Sequence, residues 1–288
     1  MKIGFIGLGN LGLPIAQNIL ALTSQLNVYN RTASKTQHLL ESGATHFDSV
    51  SALAAASDIV ITVLSNDEAE LEVTDGPGGL AANLPAGAIH VSMSTISPAL
   101  ATRLQRLHVQ YQNHYISSPV MGRPEMARAR KLSFLVSGDS AVIERIEPLL
   151  THAGAIKITR FGERPDAANT AKLCSNFLIA SAIQSMAEGI HLAAKSGLDA
   201  RDWLNMLTTT LFSSPIYQNY SNLLLNESFE PAAFSMNLGQ KDLRLVLTQA
   251  ATVDAEMPVA TAVSTQLQNG IAAGMGDHDW TALSLLLK

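Results

Sequence analysis

Short apolar runs rich in β-branched or aromatic residues recur along the first half of the chain. They fall at residues 2–7 (KIGFIG), 26–29 (LNVY), 58–64 (DIVITVL), 88–93 (AIHVSM), 114–117 (HYIS), 131–136 (KLSFLV) and 156–161 (IKITRF). Their length and composition predict strands. Segments with helical patterning separate them, near 10–22, 34–42, 49–55, 67–72, 98–111 and 140–152. Strands alternating with helices imply a parallel sheet covered on both faces, hence an α/β domain.

The texture changes beyond Gly162. Residues 165–196 form one long helix-compatible run, closed by Gly197, which suits a left-handed cap, and followed by Asp199, a good N-cap. Further helices are predicted at 200–211, 216–226, 237–254, 258–273 and 279–287, with no strand pattern among them. The expected organisation is an α/β domain over residues 1–162 and an all-α domain over 163–288 that begins with the long connecting helix.

Composition narrows the function class. With 47% apolar residues, 288 positions can fill one large core or two ordinary ones. A formal net charge of −5 leaves no basic footprint for nucleic acid. The single cysteine, Cys174, cannot form an intrachain disulfide and reads as a core residue. No run of 18 uninterrupted apolar residues suggests a membrane span, and the first residues read as a strand rather than a signal peptide. A cytoplasmic protein working on small molecules is expected. The eight histidines show no spacing suited to a metal site.

The stretch IGFIGLGNLGLPIAQNIL carries Gly7, Gly9 and Gly12 in the G-x-G-x-x-G spacing, directly after the first strand and opening a helix. In a dinucleotide site the first glycine makes the tight turn, the second lets a pyrophosphate reach the backbone, and the third lets helix and strand pack closely. The loop Gly7, Leu8, Gly9, Asn10, Leu11 and Gly12 is thus the candidate phosphate cradle. An NAD site usually ends its second strand with an acid that bonds the ribose 2′-hydroxyl. Here that end reads VYNRTASK, so Asn30 is uncharged, and Arg31, Thr32 and Lys35 offer charge-assisted bonds to a 2′-phosphate. NADP(H) is expected over NAD(H).

Several ordered motifs resemble the β-hydroxyacid dehydrogenase family, which includes 3-hydroxyisobutyrate dehydrogenases and glyoxylate or succinic semialdehyde reductases and is related to 6-phosphogluconate dehydrogenase. They are GFIGLGNLG at 4–12, NRT at 30–32, STISP at 94–98, SPVMG at 118–122, AKLCSN at 171–176, KDL at 241–243 and DHDW at 277–280. The resemblance implies a Rossmann-type doubly wound domain, a long interdomain helix, an all-α domain, catalysis in the interdomain cleft, and a homodimer or homotetramer. It places the family's catalytic lysine on Lys172 and its following asparagine on Asn176, one helical turn apart. Such a lysine is general acid when a carbonyl is reduced and general base when an alcohol is oxidised. The resemblance also places Leu64, Ser65, Asn66 and Thr95 along the nicotinamide half of the cofactor, with Thr95 close to substrate. Lys241 is the family's second lysine near the cofactor, while Asp242 fixes helix geometry and Arg244 is a surface charge.

The substrate loop departs from the family. Where the family typically reads D-A-P-V-S-G-G, this chain reads S-S-P-V-M-G-R. Met121 removes an anchoring hydroxyl, Gly122 retains the backbone anchor, and Arg123 is either a carboxylate clamp or a solvent-facing charge. Ser92 and Ser175 stand where the family often has Asp and Asn. The leading expectation is an NADP-dependent oxidoreductase that moves hydride between nicotinamide and a small aldehyde, keto acid or 3-hydroxy acid. An imine reductase on the same scaffold and a catalytically silent NADPH sensor are the alternatives.

Overall fold

The computed structural model describes residues 1–287. Its first unit is built on β1 (Ile3–Ile6), β2 (Asn27–Tyr29), β3 (Thr45–His46), β4 (Ile59–Thr62), β5 (Ile89–Ser92) and β6 (His114–Ser117). These six strands are all parallel, in the order β3-β2-β1-β4-β5-β6. This is the doubly wound order in which the direction of winding reverses beside β1, placing the β1 and β4 ends at the switch point where such sheets bind ligands. Helices α1 (Gly12–Thr23), α2 (Gln37–Leu40), α3 (Val50–Ala55), α4 (Asp67–Asp75), α5 (Leu80–Asn83) and α6 (Pro98–Gln110) make the crossovers.

The apolar runs are continuous because the central strands are covered twice. Every residue of β1, β4 and β5 is buried. Phe5, Ile61 and Val91 pack on one face with Ile15 and Ile19 of α1, whereas Ile6 and Val60 pack on the other with Leu53 and Leu80. Each such side chain contributes roughly 1.5–3 kcal/mol by leaving water.

The last strands depart from the single parallel sheet that the pattern implied. β7 (Val120–Met121), β8 (Leu132–Val136) and β9 (Ala155–Arg160) form a separate three-stranded sheet, with β7 antiparallel to β8 and β8 parallel to β9. Only Ser118 and Pro119 separate β6 from β7, too few residues for a parallel crossover. The turn at α7 (Pro124–Arg128) then reverses the chain, and α8 (Ser140–Ala153) supplies the crossover from β8 to β9.

By packing, the chain divides into two compact units, Met1–Lys172 and Leu173–Lys288. The division falls inside α9 (Ala167–Lys195), whose first turn is tied to the α/β unit. There the Ala168 amide donates to Ser137 Oγ at 3.0 Å, and Asn169 Nδ2 donates to the Ile96 carbonyl at 3.4 Å. The second unit contains α10 (Ala200–Thr209), α11 (Pro215–Leu225), α12 (Met236–Thr252), α13 (Pro258–Gly270) and a closing 3₁₀ segment at Trp280–Leu286. Its core gathers Leu173, Ile183, Met186, Leu243, Leu267 and Trp280. Gly197 adopts φ +80° just past α9, and Asp199 caps α10 by accepting from the Arg201 and Asp202 amides.

Helix α9 is long and apolar enough to cross a membrane by length and composition, the one such helix among the described residues. The sequence criterion of an uninterrupted apolar run had passed over it because polar residues interrupt it. Those residues are turned inward: Lys172, Asn176 and Gln184 are buried, and Ala180, Ile183, Met186 and Ala187 pack into the helical core. Cys174, expected in the core, is exposed, because it sits half a turn away from Lys172 and Asn176.

Candidate active site

The three glycines after β1 have different causes. Gly7 has φ +99°, and a Cβ there would meet the Val63 carbonyl oxygen at 2.2 Å. At Gly12 it would meet the Gly7 carbonyl oxygen at 1.9 Å, so the helix could not approach the strand. Around Gly9 nothing in the protein lies within 4 Å of the added carbon. The protein's own packing therefore demands Gly7 and Gly12 and leaves Gly9 facing open space. No side chain caps α1, whose first turn follows this opening. An uncapped helix N-terminus beside a bare glycine suits a pyrophosphate, which the N–H groups and helix dipole can hold.

The end of β2 is fastened to this loop. Asn30 Oδ1 accepts the Leu8 amide at 2.9 Å, and Asn30 Nδ2 donates to the Thr32 carbonyl at 2.8 Å. Leu8 thus has its N–H engaged and its side chain in the core, so its contribution to the cradle is shape. Arg31, Thr32 and Lys35 are all exposed beyond it, on the turn that opens the 3₁₀ segment Ala33–Thr36. Asn10 is exposed and Leu11 half-buried at the mouth of the loop.

The ends of β4 and β5 are joined side by side. The Leu64 amide donates to Ser94 Oγ at 2.8 Å. Ser65 is exposed, while Asn66 caps α4 by accepting the Ala69 amide at 2.9 Å. Thr95 is half-buried next to Ser94, and Ser97 both caps α6 and donates to Asp67. Asn66 therefore has a structural task that strand-end position alone does not reveal.

In the candidate substrate loop, Gly122 has φ +140°, and a Cβ there would strike Leu132 at 2.5 Å. Arg123 is not the solvent-facing charge that was one of its two readings, for its side chain is only 18% exposed and its Nε lies 3.2 Å from Glu125 Oε1. Lys172 is 9% exposed, and its Nζ lies 3.5 Å from Met121 Sδ. Met121, one of the residues at which the loop departs from the family, thus touches the lysine directly.

In the helical unit, Asn176 is 3% exposed and donates through Nδ2 to Asp242 Oδ2. Lys241 Nζ pairs with the other carboxylate oxygen at 2.8 Å. Asp242 is therefore more than a helix-geometry residue, since it orients the Asn176 amide and holds the Lys241 ammonium. With one N–H given to Asp242, the acceptor end of the Asn176 amide is Oδ1. Arg244 is exposed, as read from the sequence.

A family model described as the NAD-binding domain of 6-phosphogluconate dehydrogenase matches residues 2–162, and one described as the NAD-binding domain of NADP-dependent 3-hydroxyisobutyrate dehydrogenase matches residues 166–287. The chain belongs to the β-hydroxyacid dehydrogenase family. It is an NAD(P)-binding oxidoreductase of the class that acts on CH–OH groups. An uncharacterised oxidoreductase of Bacillus subtilis, YfjR, is 39% identical over 288 residues, all of both chains. The 2-hydroxy-3-oxopropionate reductase of Escherichia coli is 33% identical over 289 residues, covering 100% of this chain and 97% of its own. Among solved structures, Psf3 in complex with NADP+ and 2-OPP superposes with a TM-score of 0.90 at 27% identity, covering 99% of this chain and 100% of that one.

Sequence reasoning missed two groups in this family member. Asp242 is adjacent in sequence to the lysine it holds, but nothing local shows that Asn176 is its second partner. Glu70 escaped because it lies in the acidic run DEAELE, which reads as a solvated helix face.

Proposed function

We propose that the protein is an NADP-preferring reductase of a small aldehyde or keto acid, or in reverse a dehydrogenase of the matching hydroxy acid, with Lys172 as general acid and base. The contact between the buried Lys172 Nζ and Met121 Sδ carries this reading, because it sets the only motif lysine of α9 against the substrate loop. Bound nicotinamide supplies or accepts the hydride at the carbonyl carbon. Lys172 delivers a proton to the carbonyl oxygen as it becomes a hydroxyl, and Asn176 Oδ1 accepts a hydrogen bond from that hydroxyl. The amides around Gly122 and the guanidinium of Arg123 hold the substrate carboxylate, and Thr95 borders it. Met121 contributes apolar surface and a weak acceptor, so it anchors nothing by itself.

Cofactor binding follows the same logic. Gly7, Leu8, Gly9, Asn10, Leu11 and Gly12 shape and line the pyrophosphate cradle. Arg31, Thr32 and Lys35 read the 2′-phosphate from exposed positions next to the uncharged Asn30. Leu64, Ser65, Asn66 and Thr95 border the nicotinamide half, and Lys241 is assigned to the cofactor from the family resemblance. Residues 1–162 form the NADP-binding domain, and 163–288 the helical substrate and oligomerisation domain. Leu178, Leu192, Leu198 and Leu211 are 65%, 68%, 59% and 86% exposed, which supports burial of helical-unit surface in a homodimer or homotetramer.

The test is NADPH oxidation against glyoxylate, succinic semialdehyde, methylglyoxal, 2-methyl-3-oxopropanoate and a cyclic imine, in wild type and Lys172→Ala. Turnover of a carbonyl compound should fall by about 10²–10⁴-fold in the variant while NADPH still binds. Equal turnover in both proteins removes Lys172 from the chemistry, and reaction of the imine alone turns the assignment to C=N reduction.

A further inference from the structure

Behind the strand ends described above lies a buried polar chain that none of the site assignments uses. Glu70, in the first turn of α4, has no exposed surface. Its carboxylate is divided between two strands: Oε1 accepts from Thr62 Oγ1 at the end of β4, and Oε2 accepts from Ser94 Oγ just past β5, both at 2.6 Å. Ser94 Oγ, having given its hydrogen to Glu70, accepts the Leu64 amide at 2.8 Å. One carboxylate thus joins the carboxyl-terminal ends of adjacent strands and fixes a backbone N–H on the segment that follows β4.

The chain continues inward on the other side. Thr62 Oγ1 has also given its hydrogen to Glu70, so at 2.9 Å it must accept from His90 Nε2. In a neutral His90 ring, Nδ1 is then the acceptor of the 3.0 Å contact with His108 Nε2. This tautomer leaves His108 Nδ1, which has no partner, as a bare lone pair rather than a buried N–H. Hydrogens therefore run from His108 through His90 and Thr62, and from Leu64 through Ser94, and both lines end on Glu70. A carboxylate is the only group here with no hydrogen to pass on. Burial pushes the Glu70 carboxyl up, but the neighbouring His90 and the hydrogen bonds from Ser94 and Thr62 outweigh it and hold it below its ordinary value.

We propose that Glu70 is a positioning residue for cofactor binding: through Ser94 it fixes the Leu64 amide, and with it the two strand-end segments, Leu64–Asn66 and Ser94–Ile96, that receive the nicotinamide half of NAD(P). The assignment rests on the reading of those segments given under the proposed function. It acts by preorganisation, because a loop already held in its binding conformation loses less entropy when the cofactor arrives. A glutamine at position 70 keeps the shape and presents an N–H₂ group to a hydroxyl that must donate, so the line of hydrogens breaks at Ser94 or at Thr62.

Three readouts test this on the intact protein. Hydrogen exchange at the Leu64 amide, measured without cofactor, should quicken about 10-fold in both Glu70→Gln and Ser94→Ala. NADPH affinity, measured by fluorescence titration without substrate, should weaken by about 5- to 30-fold in each. The double variant should bind no worse than the weaker single variant, because both break one linkage, and Ser94→Thr should restore binding by restoring the hydroxyl. The proposal is overturned if Leu64 exchange is unchanged, if NADPH binds within 2-fold of wild type despite faster exchange, or if the two losses add. A wild type that fails to bind any nicotinamide cofactor defeats the functional reading itself, whereas one that binds while Glu70→Gln binds equally well defeats only the role of Glu70. Should Glu70→Gln not fold, Ser94→Ala alone carries the same exchange and binding tests.

Discussion

Lowering the pH should destabilise the α/β unit well before any carboxylate titrates, and His108 is the reason. Its side chain is fully buried on α6, stacked on Tyr115 with ring centroids 5.8 Å apart, and bonded to His90, which leads through Thr62 to Glu70. Burial first, and then the nearby His90, hold its pKa well below the ordinary histidine range. In the unfolded chain His108 takes up a proton near pH 6.5. Between that pH and its folded value, the unfolded state binds one more proton than the native state. Stability therefore rises with pH across the window and is lost as pH falls. The limiting slope is about 1.4 kcal/mol per pH unit, and integration from pH 7.5 to 5.0 caps the loss at about 2 kcal/mol. Glu70 has a depressed pKa, so its contribution is lost only below the unfolded carboxyl range, outside this window. Both tryptophans, Trp203 and Trp280, lie in the helical unit, so tryptophan fluorescence is blind to the transition in question. Exchange of the β4 and β5 amides at the two pH values, corrected for intrinsic rates, reports it directly. His108→Leu should be less stable at pH 7.5 by about 1–3 kcal/mol, because it orphans His90 Nδ1, yet its further loss on acidification should shrink, by at most about 2 kcal/mol. An unchanged acid loss in the variant would refute the assignment of that proton to His108.

Arg31→Ala should weaken NADPH binding by about 10-fold or more and leave NADH nearly untouched, as read by paired titrations; equal losses would show that Arg31 does not read the 2′-phosphate. Gly9→Ala should melt within about 1 kcal/mol of wild type, since nothing stands where its methyl would lie, and should still lose NADPH affinity. Gly12→Ala should cost at least about 1–3 kcal/mol in denaturant melts, because its methyl would meet the Gly7 carbonyl oxygen at 1.9 Å. A Gly9→Ala protein that binds NADPH normally would show that the opening beside Gly9 does not take the pyrophosphate.

The parallel sheet, the glycine loop and the helical unit were legible because each leaves a local pattern: buried strands as apolar runs, the loop as spaced glycines, helices as periodic faces with caps. β3, α5 and α7 were invisible, being two, four and five residues long, below the length at which periodicity speaks. The separate second sheet was also hidden, since patterning marks strands but not their partners, and only the two-residue link before β7 forbids a parallel crossover. Glu70 and Thr74 show the limit most plainly. They are the buried residues of α4, so the helix turns a polar stripe inward, and hydrophobic periodicity points to the wrong face. The opposite failure occurred at Cys174, whose apolar character suggested burial on a helix face that is open.

Under the proposed function, the sulfur of Met121 against Lys172 has a consequence for how the site would discriminate among small molecules. A hydroxyl in that place would both give and take hydrogen bonds, and so would compete with the ammonium for any oxygen brought near it. A thioether takes weakly and gives nothing, leaving Lys172 as the donor that an incoming oxygen meets at this contact. Selectivity then passes from counting polar partners to fitting volume against a flexible, unbranched side chain. Sites of that kind separate close homologues by only about 10- to 200-fold per methylene, so under the proposed function this loop would favour a range of related compounds over a single one.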